Sequence, residues 1–75
     1  MSLRVLIVDD EPLARSRLRT LLGECRAPAA VVAGEAADAA QARALLRSQP
    51  FDLVLVDIHM PGEDGMSLAA SLQAL

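Results

Sequence analysis

The chain has 75 residues, a formal net charge of −3 and a hydrophobic content of 53%, with Phe51 as the only aromatic residue. This composition is too apolar for a disordered segment, and no apolar run is long enough to span a membrane. No signal-peptide pattern or basic cluster indicates secretion or direct nucleic-acid binding, and the single cysteine, Cys25, favours a reducing cytoplasm.

The first strand is predicted over residues 4–8, where a short apolar and mostly β-branched run leads into three acidic residues. A helix is predicted over residues 12–22, because Pro12 suits the first helical position. Gly23 and residues 26–28 are expected to close this helix. One buried face is expected to contain the residues that recur at helical spacing, namely Ala14, Leu18, Leu21, Leu22 and Cys25.

A short strand is predicted at residues 31–33, at an edge of the sheet. The helix that follows has Asp38 as its expected N-cap and Gln41 three residues later, an arrangement like a capping box. Pro50 is expected to fix the end of this helix. Its apolar face is predicted to consist of Ala42, Leu45 and Leu46.

The third strand is predicted over residues 51–56, and a third helix over residues 67–75. Four consecutive apolar residues at 53–56, without polar alternation, are typical of a strand that is buried on both faces of a parallel sheet. The resulting order β-α-β-α-β-α, with short connections, predicts an α/β fold with a parallel sheet and right-handed crossovers.

Carboxylates follow two of these strands: Asp9 and Asp10 come after the first, and Asp57 after the third. If the two strands are parallel neighbours, their carboxyl ends meet and the three acids converge on one crevice. Such a cluster suits Mg²⁺, and a carboxylate beside Mg²⁺ can attack phosphorus. The alternative is that one of the adjacent pair caps the first helix, because neighbouring side chains point in different directions.

Two motifs carry a family resemblance: Val-Asp-Asp-Glu-Pro at residues 8–12, and Leu-Val-Asp-Ile-His-Met-Pro-Gly-Glu-Asp-Gly at residues 55–65. Together they closely resemble the receiver domain of bacterial two-component response regulators. The run Asp-Asp-Glu-Pro-Leu-Ala-Arg-x-Arg-Leu is similar to the subgroup that includes AlgR and LytR. The resemblance covers residues 4–75. It implies a flavodoxin-like (CheY-like) doubly wound parallel sheet, with the order 2-1-3 for these strands.

The resemblance also implies the roles of the site residues. Asp57 is expected to accept a phosphoryl group from a histidine kinase or a phosphotransfer protein. Mg²⁺ is expected to bind Asp9, Asp10, Asp57 and the backbone carbonyl of His59, whose side chain is expected to be exposed beside the site. Pro61, Gly62 and Gly65 are expected to shape the loop after the third strand, since glycine permits backbone geometry that other residues resist.

The chain departs from the family pattern by omission. A complete receiver continues through two more strands and two more helices, which carry a Ser/Thr hydroxyl and a Lys that contact the phosphoryl group; this chain contains no Lys. Residues 1–75 are therefore expected to form a partial receiver domain. The resemblance to the subgroup of AlgR and LytR also implies a DNA-binding output domain outside this chain. An open apolar edge of such a sheet favours self-association, for example as a homodimer.

Two other functions compete with the receiver hypothesis. A Mg²⁺-dependent phosphohydrolase of the dehalogenase type needs a second Asp two residues after its nucleophile, and His59 stands there instead. The second competing hypothesis is an inert fragment that self-associates. A receiver domain itself is expected to catalyse at most its own phosphorylation and dephosphorylation. Arg15, Arg17 and Arg19 are expected to form a solvated helix face, with docking of the phosphodonor as the alternative. Cys25 is expected to be a packing residue.

Overall fold

The structure is a computed structural model, and it describes residues 2–26, 29–57 and 70. The described elements are β1 (Ser2–Val8), α1 (Pro12–Gly23), β2 (Ala29–Ala36), α2 (Ala39–Ser48) and β3 (Leu53–Val56). The strands are parallel and lie in the order β2-β1-β3, so the predicted order is confirmed. The predicted third helix lies outside the described residues except for Ala70, which is helical and exposed.

The central strand, β1, is fully buried over its second half. Its four apolar residues Val5, Leu6, Ile7 and Val8 are all 0% exposed, since β1 has a strand on each side and helices on both faces. The prediction that residues 53–56 are buried on both faces is wrong. In the described part of the sheet β3 is an edge strand, where Leu53 is 40% exposed and the next three residues are half-buried.

The two helices cover opposite faces of the sheet. α2 packs on the face that carries Leu6 and Val8, together with Val54 and Val56, which are paired with them in register. α1 is joined by ion pairs to Glu35, which is paired in register with Ile7. Because side chains alternate along a strand, Ile7 and Glu35 lie on the face away from Leu6 and Val8. The core on the α2 face contains Leu6, Val8, Ala36, Ala39 and Ala42, packed by Leu45, Leu46, Phe51, Val54 and Val56.

The predicted buried face of α1 is partly wrong. Leu18 and Leu22 are half-buried, but Leu21 is 59% exposed and Cys25 is exposed. Leu21 lies about 60° around the helix from Leu18, at the margin of the apolar stripe. Cys25 follows the end of α1 at Gly23, so helical spacing does not describe its direction, and the expectation that it packs in the core is wrong as well.

The start of α2 follows the capping pattern. Asp38 is the N-cap, and its Oδ1 accepts a 2.8 Å hydrogen bond from the amide of Gln41. The Gln41 side chain in turn accepts a 2.8 Å bond from the amide of Ala37, one residue before the expected partner. Ala42 is buried and faces the core as predicted. Within the described residues, no helix has the length and apolar character that crossing a bilayer requires.

Arg4 ties β1 to the segment that enters β3. Its amide donates to Asp52 Oδ2 at 2.8 Å, and its carbonyl accepts from the amide of Asp52 at 2.8 Å. Its guanidinium donates to Pro50 O at 3.0 Å and to Gln49 Oε1 at 2.5 Å, and lies 6.0 Å from the ring centroid of Phe51. These contacts fix the register in which β3 lies beside β1. They thereby also fix which residues of the two strands are paired at the carboxyl edge of the sheet.

Gly34 allows a close approach between β2 and the segment after α2. The β1–β2 register shifts here, because Val5 pairs with Val32 while Leu6 pairs with Gly34. A Cβ added at Gly34 would lie 3.1 Å from Phe51 Cζ and 3.4 Å from Leu45 Cδ1. The missing side chain therefore lets the Phe51 ring and Leu45 pack directly on the β2 backbone.

Replacing Gly23 by Ala is expected to raise the free energy of unfolding by about 0.5–1 kcal/mol. Gly23 is the last residue of α1, it has nothing within 4 Å of an added Cβ, and its φ is not in the left-handed region. Ala therefore fits the folded state and restricts the unfolded chain. Urea denaturation followed by circular dichroism measures the change, and an unchanged or lower stability would contradict the open geometry at this position.

Candidate functional site

Asp9 and Asp57 lie side by side at the carboxyl edge of the sheet. Val8 and Val56 are paired at the ends of β1 and β3, and the amide of Asp57 donates to Val8 O at 2.9 Å. The amide of Asp9 donates to Ala36 O, at the end of β2, at 3.0 Å. Strand pairing thus continues one residue beyond each strand and fixes the backbone of both aspartates.

Three carboxylates meet at this edge. One carboxylate oxygen from each of Asp9, Asp10 and Asp57 lies within 4.8 Å of the other two, and Asp9 and Asp57 are half-buried. The structure therefore brings together the three acids that the sequence placed at one sheet edge. Negative charges this close repel each other, and a cation between them relieves the repulsion. Oxygen donors in this arrangement suit a hard ion such as Mg²⁺.

Asp9 also organises the start of α1. Its Oδ1 accepts a 2.9 Å hydrogen bond from the amide of Glu11, the N-cap residue, whose own side chain makes no capping bond. Neither Asp9 nor Asp10 is the N-cap of α1, so the capping alternative is wrong as stated, and Asp9 instead bonds the amide of the N-cap residue, Glu11. A carboxylate has several acceptor sites, so this bond orients Asp9 toward the cluster without occupying the group completely.

A shallow depression of about 300 Å³ opens beside the acids. Its walls include Asp9 and Asp57 on one side and the half-buried apolar residues Leu18 and Leu55 on another. Leu18 comes from α1 and Leu55 from β3, so the depression lies between the helix and the strand ends.

Two of the three arginines on α1 turn toward the sheet. Arg15 Nη1 donates to the carbonyl of Asp9 at 2.6 Å, and Arg15 Nε lies 3.3 Å from Glu35 Oε1. Arg19 Nε donates to Glu35 Oε2 at 3.0 Å, and its Nη2 pairs with the same oxygen. The expected solvated arginine face is therefore wrong for Arg15, whose side chain is 19% exposed. Arg19 stays 55% exposed while it pairs with Glu35, and Arg17 is exposed as expected.

Glu35 is the residue that sequence reasoning missed. The hydrogen bond from Arg19, followed by the charges of Arg19 and Arg15, holds the pKa of the Glu35 carboxyl below its ordinary value, although partial burial acts to raise that pKa. The spacing of Arg15 and Arg19, one helical turn apart, shows that the two could share a partner. Nothing in the sequence identifies Glu35, because it lies on a different element.

The remaining predicted site residues, His59, Pro61, Gly62 and Gly65, lie outside the described residues. The proposed ligation by the His59 carbonyl and the loop-shaping roles of Pro61 and the two glycines therefore stay predictions. The described part of the site consists of the three aspartates, the depression beside them and the contacts of Arg15.

Residues 5–75 match the family model of the response regulator receiver domain. The chain belongs to this family. The receiver domain has the three parallel strands in the order 2-1-3 and the covering helices that the resemblance implied. The family assignment also accounts for both aspartate motifs at once, because residues 9, 10 and 57 all fall within the matched range.

Curated relatives support the subgroup. The positive alginate biosynthesis regulatory protein of Pseudomonas aeruginosa is 47% identical over 70 residues, which are 93% of this chain and 28% of that protein. The sensory transduction protein LytT of Enterococcus faecalis is 41% identical over 73 residues, 97% of this chain and 29% of that protein. The receiver domain described here thus spans less than a third of the length of these relatives.

A solved structure shows the same fold. The crystal structure of a two-component response regulator of the LuxR family from Aurantimonas sp. matches with a TM-score of 0.88 and 32% identity. The match covers 99% of this chain and 51% of that one. The predicted CheY-like receiver fold is therefore confirmed.

Proposed function

We propose that Asp57 of this receiver domain accepts a phosphoryl group from a histidine kinase or a phosphotransfer protein. The observation that carries the proposal is the convergence of the Asp9, Asp10 and Asp57 carboxylates within 4.8 Å, in a chain of the receiver family. Asp57 stands at the end of β3 with its amide bonded to Val8 O. Its side chain lines the depression beside Leu18 and Leu55.

The proposed reaction is a phosphoryl transfer between two side chains. An oxygen of the Asp57 carboxylate forms a bond to phosphorus, and the bond from phosphorus to the donor's imidazole nitrogen breaks. The electron pair of that bond stays on the nitrogen, which takes up a proton, and Asp57 becomes an acyl phosphate. Leu18 and Leu55 place apolar surface on one side of the depression in which the transfer would occur.

Asp9, Asp10 and Asp57 would hold Mg²⁺, together with the backbone carbonyl of His59. The donor set fits, because these are oxygen ligands gathered at one edge, and Mg²⁺ is usually bound by one or two carboxylates plus phosphate oxygens and water. When bound, the ion neutralises negative charge on the phosphoryl oxygens. The protein's own part is to fix Asp57 and Asp9 through backbone bonds to Val8 and Ala36.

Phosphorylation is proposed to control transcription through a DNA-binding domain outside this chain. A phosphoryl group adds roughly −1.5 to −2 charges and new acceptor oxygens at the sheet edge, which can bias a two-state element. In this proposal the domain works in the cytoplasm, acts on no substrate other than its own aspartate, and contacts no DNA itself. Free Cys25 fits a reducing compartment.

Self-association is the second candidate function. In the described part of the sheet β2 and β3 both lie at edges, and Val31 on β2 is 50% exposed. An exposed apolar edge strand can pair with another copy of the chain. The phosphohydrolase alternative has less support, because the position two residues after Asp57 is His59 and not a carboxylate.

Beryllofluoride, a phosphoryl mimic that needs an aspartate and Mg²⁺ together, tests the proposed function. The protein as produced in its host is titrated with beryllofluoride in Mg²⁺ or in EDTA, and binding is followed by calorimetry. Binding is expected only with Mg²⁺ and is expected to be lost in Asp57→Ala. Glu24→Ala removes an exposed carboxylate at the far end of α1 and should bind normally. Binding that Asp57→Ala leaves unchanged would refute the assignment.

A further inference from the structure

Arg15 connects α1 to the backbone of the acidic cluster. Its Nη1 donates a part-buried hydrogen bond of 2.6 Å to the carbonyl oxygen of Asp9, six residues earlier in the chain. The Arg15 side chain is only 19% exposed, so water competes weakly for this bond. The guanidinium therefore holds the peptide that follows the Asp9 side chain, in the turn between β1 and α1.

Glu35 holds the other side of the Arg15 guanidinium. Its Oε1 lies 3.3 Å from Arg15 Nε, while its Oε2 accepts from Arg19 one turn further along α1. The next residue of β2, Ala36, accepts the amide of Asp9 at 3.0 Å. Two consecutive residues of β2 thus fix Asp9 from both ends: Ala36 directly, and Glu35 through Arg15.

We propose that Arg15, oriented by Glu35, is a positioning residue that holds the Asp9 carboxylate where Mg²⁺ binds. Three hydrogen bonds define the conformation of Asp9. Its amide donates to the carbonyl of Ala36, its carbonyl accepts from Arg15, and its Oδ1 accepts from the amide of Glu11. Without Arg15 the peptide after Asp9 can rotate, and the turn that carries Glu11 moves with it. The ligand in this inference rests on the proposed function, whereas the positioning of Asp9 does not.

A purely electrostatic role of Arg15 predicts the opposite sign. Arg15 brings a positive charge close to a cation site, so removing that charge alone would strengthen Mg²⁺ binding. Removing a contact that orients a metal ligand weakens metal binding, typically by about 10–100-fold. Arg15→Met keeps the length and apolar stem of the side chain and removes the donors, so the direction of its effect separates the two roles.

Titration calorimetry with MgCl2 measures the effect. Arg15→Met is expected to raise the Mg²⁺ dissociation constant about tenfold. Arg17→Met is the matched control, because Arg17 lies on the exposed side of the same helix and the charge change is identical. Its dissociation constant is expected to stay within about twofold of the parent value, since a solvated charge is screened. Unchanged or tighter binding in Arg15→Met overturns the inference.

Amide hydrogen exchange without Mg²⁺ gives a readout that does not depend on the metal. Arg15→Met should speed amide exchange at Asp9 and Glu11 about tenfold and leave the exchange rates of residues 5–8 in β1 unchanged. In Arg17→Met, the exchange rates of all these amides should equal those of the parent protein. A general loss of stability would speed all of these amides, which overturns the inference. If the parent protein binds no Mg²⁺ but the local exchange changes, the proposed function fails and the positioning role stands. If Arg15→Met and Arg17→Met bind Mg²⁺ equally well, the positioning role fails and the proposed Mg²⁺ site stands.

Discussion

Replacing Asp57 by Asn is expected to abolish phosphorylation of the receiver domain. The amide has nearly the same shape as the carboxylate, so the backbone bond to Val8 and the walls of the depression are retained. It lacks the anionic oxygen that attacks phosphorus, and it removes one of the three charges that would bind Mg²⁺. Incubation with acetyl phosphate and Mg²⁺, followed by intact-protein mass spectrometry, measures the loss as an absent phosphoryl adduct.

Asp52→Asn is the matched control for this substitution. Asp52 lies just before β3, at the opposite end of the strand from Asp57, and the change of charge is the same. Its Oδ2 accepts a hydrogen bond from the amide of Arg4, which the carbonyl oxygen of Asn can accept as well. Normal phosphorylation is expected. An adduct that persists in Asp57→Asn at the parent level would contradict the account.

Leu6→Ala is expected to lower the free energy of unfolding by about 3 kcal/mol, within the 2–5 kcal/mol typical of such truncations. Leu6 is 0% exposed at the centre of β1, where it packs against Ala36 and Ala42 and is neighboured in register by Val54. Truncation leaves a cavity between the sheet and α2 that small alanine neighbours cannot fill. In a small domain with a few kcal/mol of net stability, much of the protein would unfold.

Leu13→Ala is the control that makes the same Leu-to-Ala truncation at an exposed position, so that the loss due to burial of Leu6 can be isolated. Leu13 is 71% exposed on α1, so the same truncation removes little buried surface, and Ala is a strong helix former. Its stability is expected to stay within about 0.5 kcal/mol of the parent protein. Both variants are compared by urea denaturation under one set of conditions. Similar losses in Leu6→Ala and Leu13→Ala would show that β1 is not the centre of the core.

The parts of the fold that depend on local pattern could be predicted from the sequence. The three strands, the two described helices and the Asp38 cap each follow from a short run of residues, whereas the strand order 2-1-3 was implied by the resemblance to receiver domains. The convergence of three acids follows from the same logic, because parallel strands present their carboxyl ends at one edge. The sequence therefore predicts that Asp9, Asp10 and Asp57 lie together at this edge.

The features that depend on contacts between distant elements could not be predicted. Periodicity shows which residues share a helix face, but it does not show that Leu21 lies at the margin of that face or that α1 ends before Cys25. An apolar run does not show how much of a strand neighbouring elements cover, so the exposure of Leu53 on the edge strand β3 could not be read from residues 53–56. The pairing of Arg15 with Glu35 joins residues 20 apart, and no local signal marks it.

Mapping the phosphorylated residue tests the central claim most directly. The protein is phosphorylated with acetyl phosphate and Mg²⁺ and treated with borohydride, which reduces an aspartyl phosphate to homoserine, and the peptides are then sequenced by mass spectrometry. The account predicts conversion at Asp57 alone, with Asp9 and Asp10 unmodified. Conversion at Asp9 or Asp10, or a phosphoryl group found on His59, would contradict it.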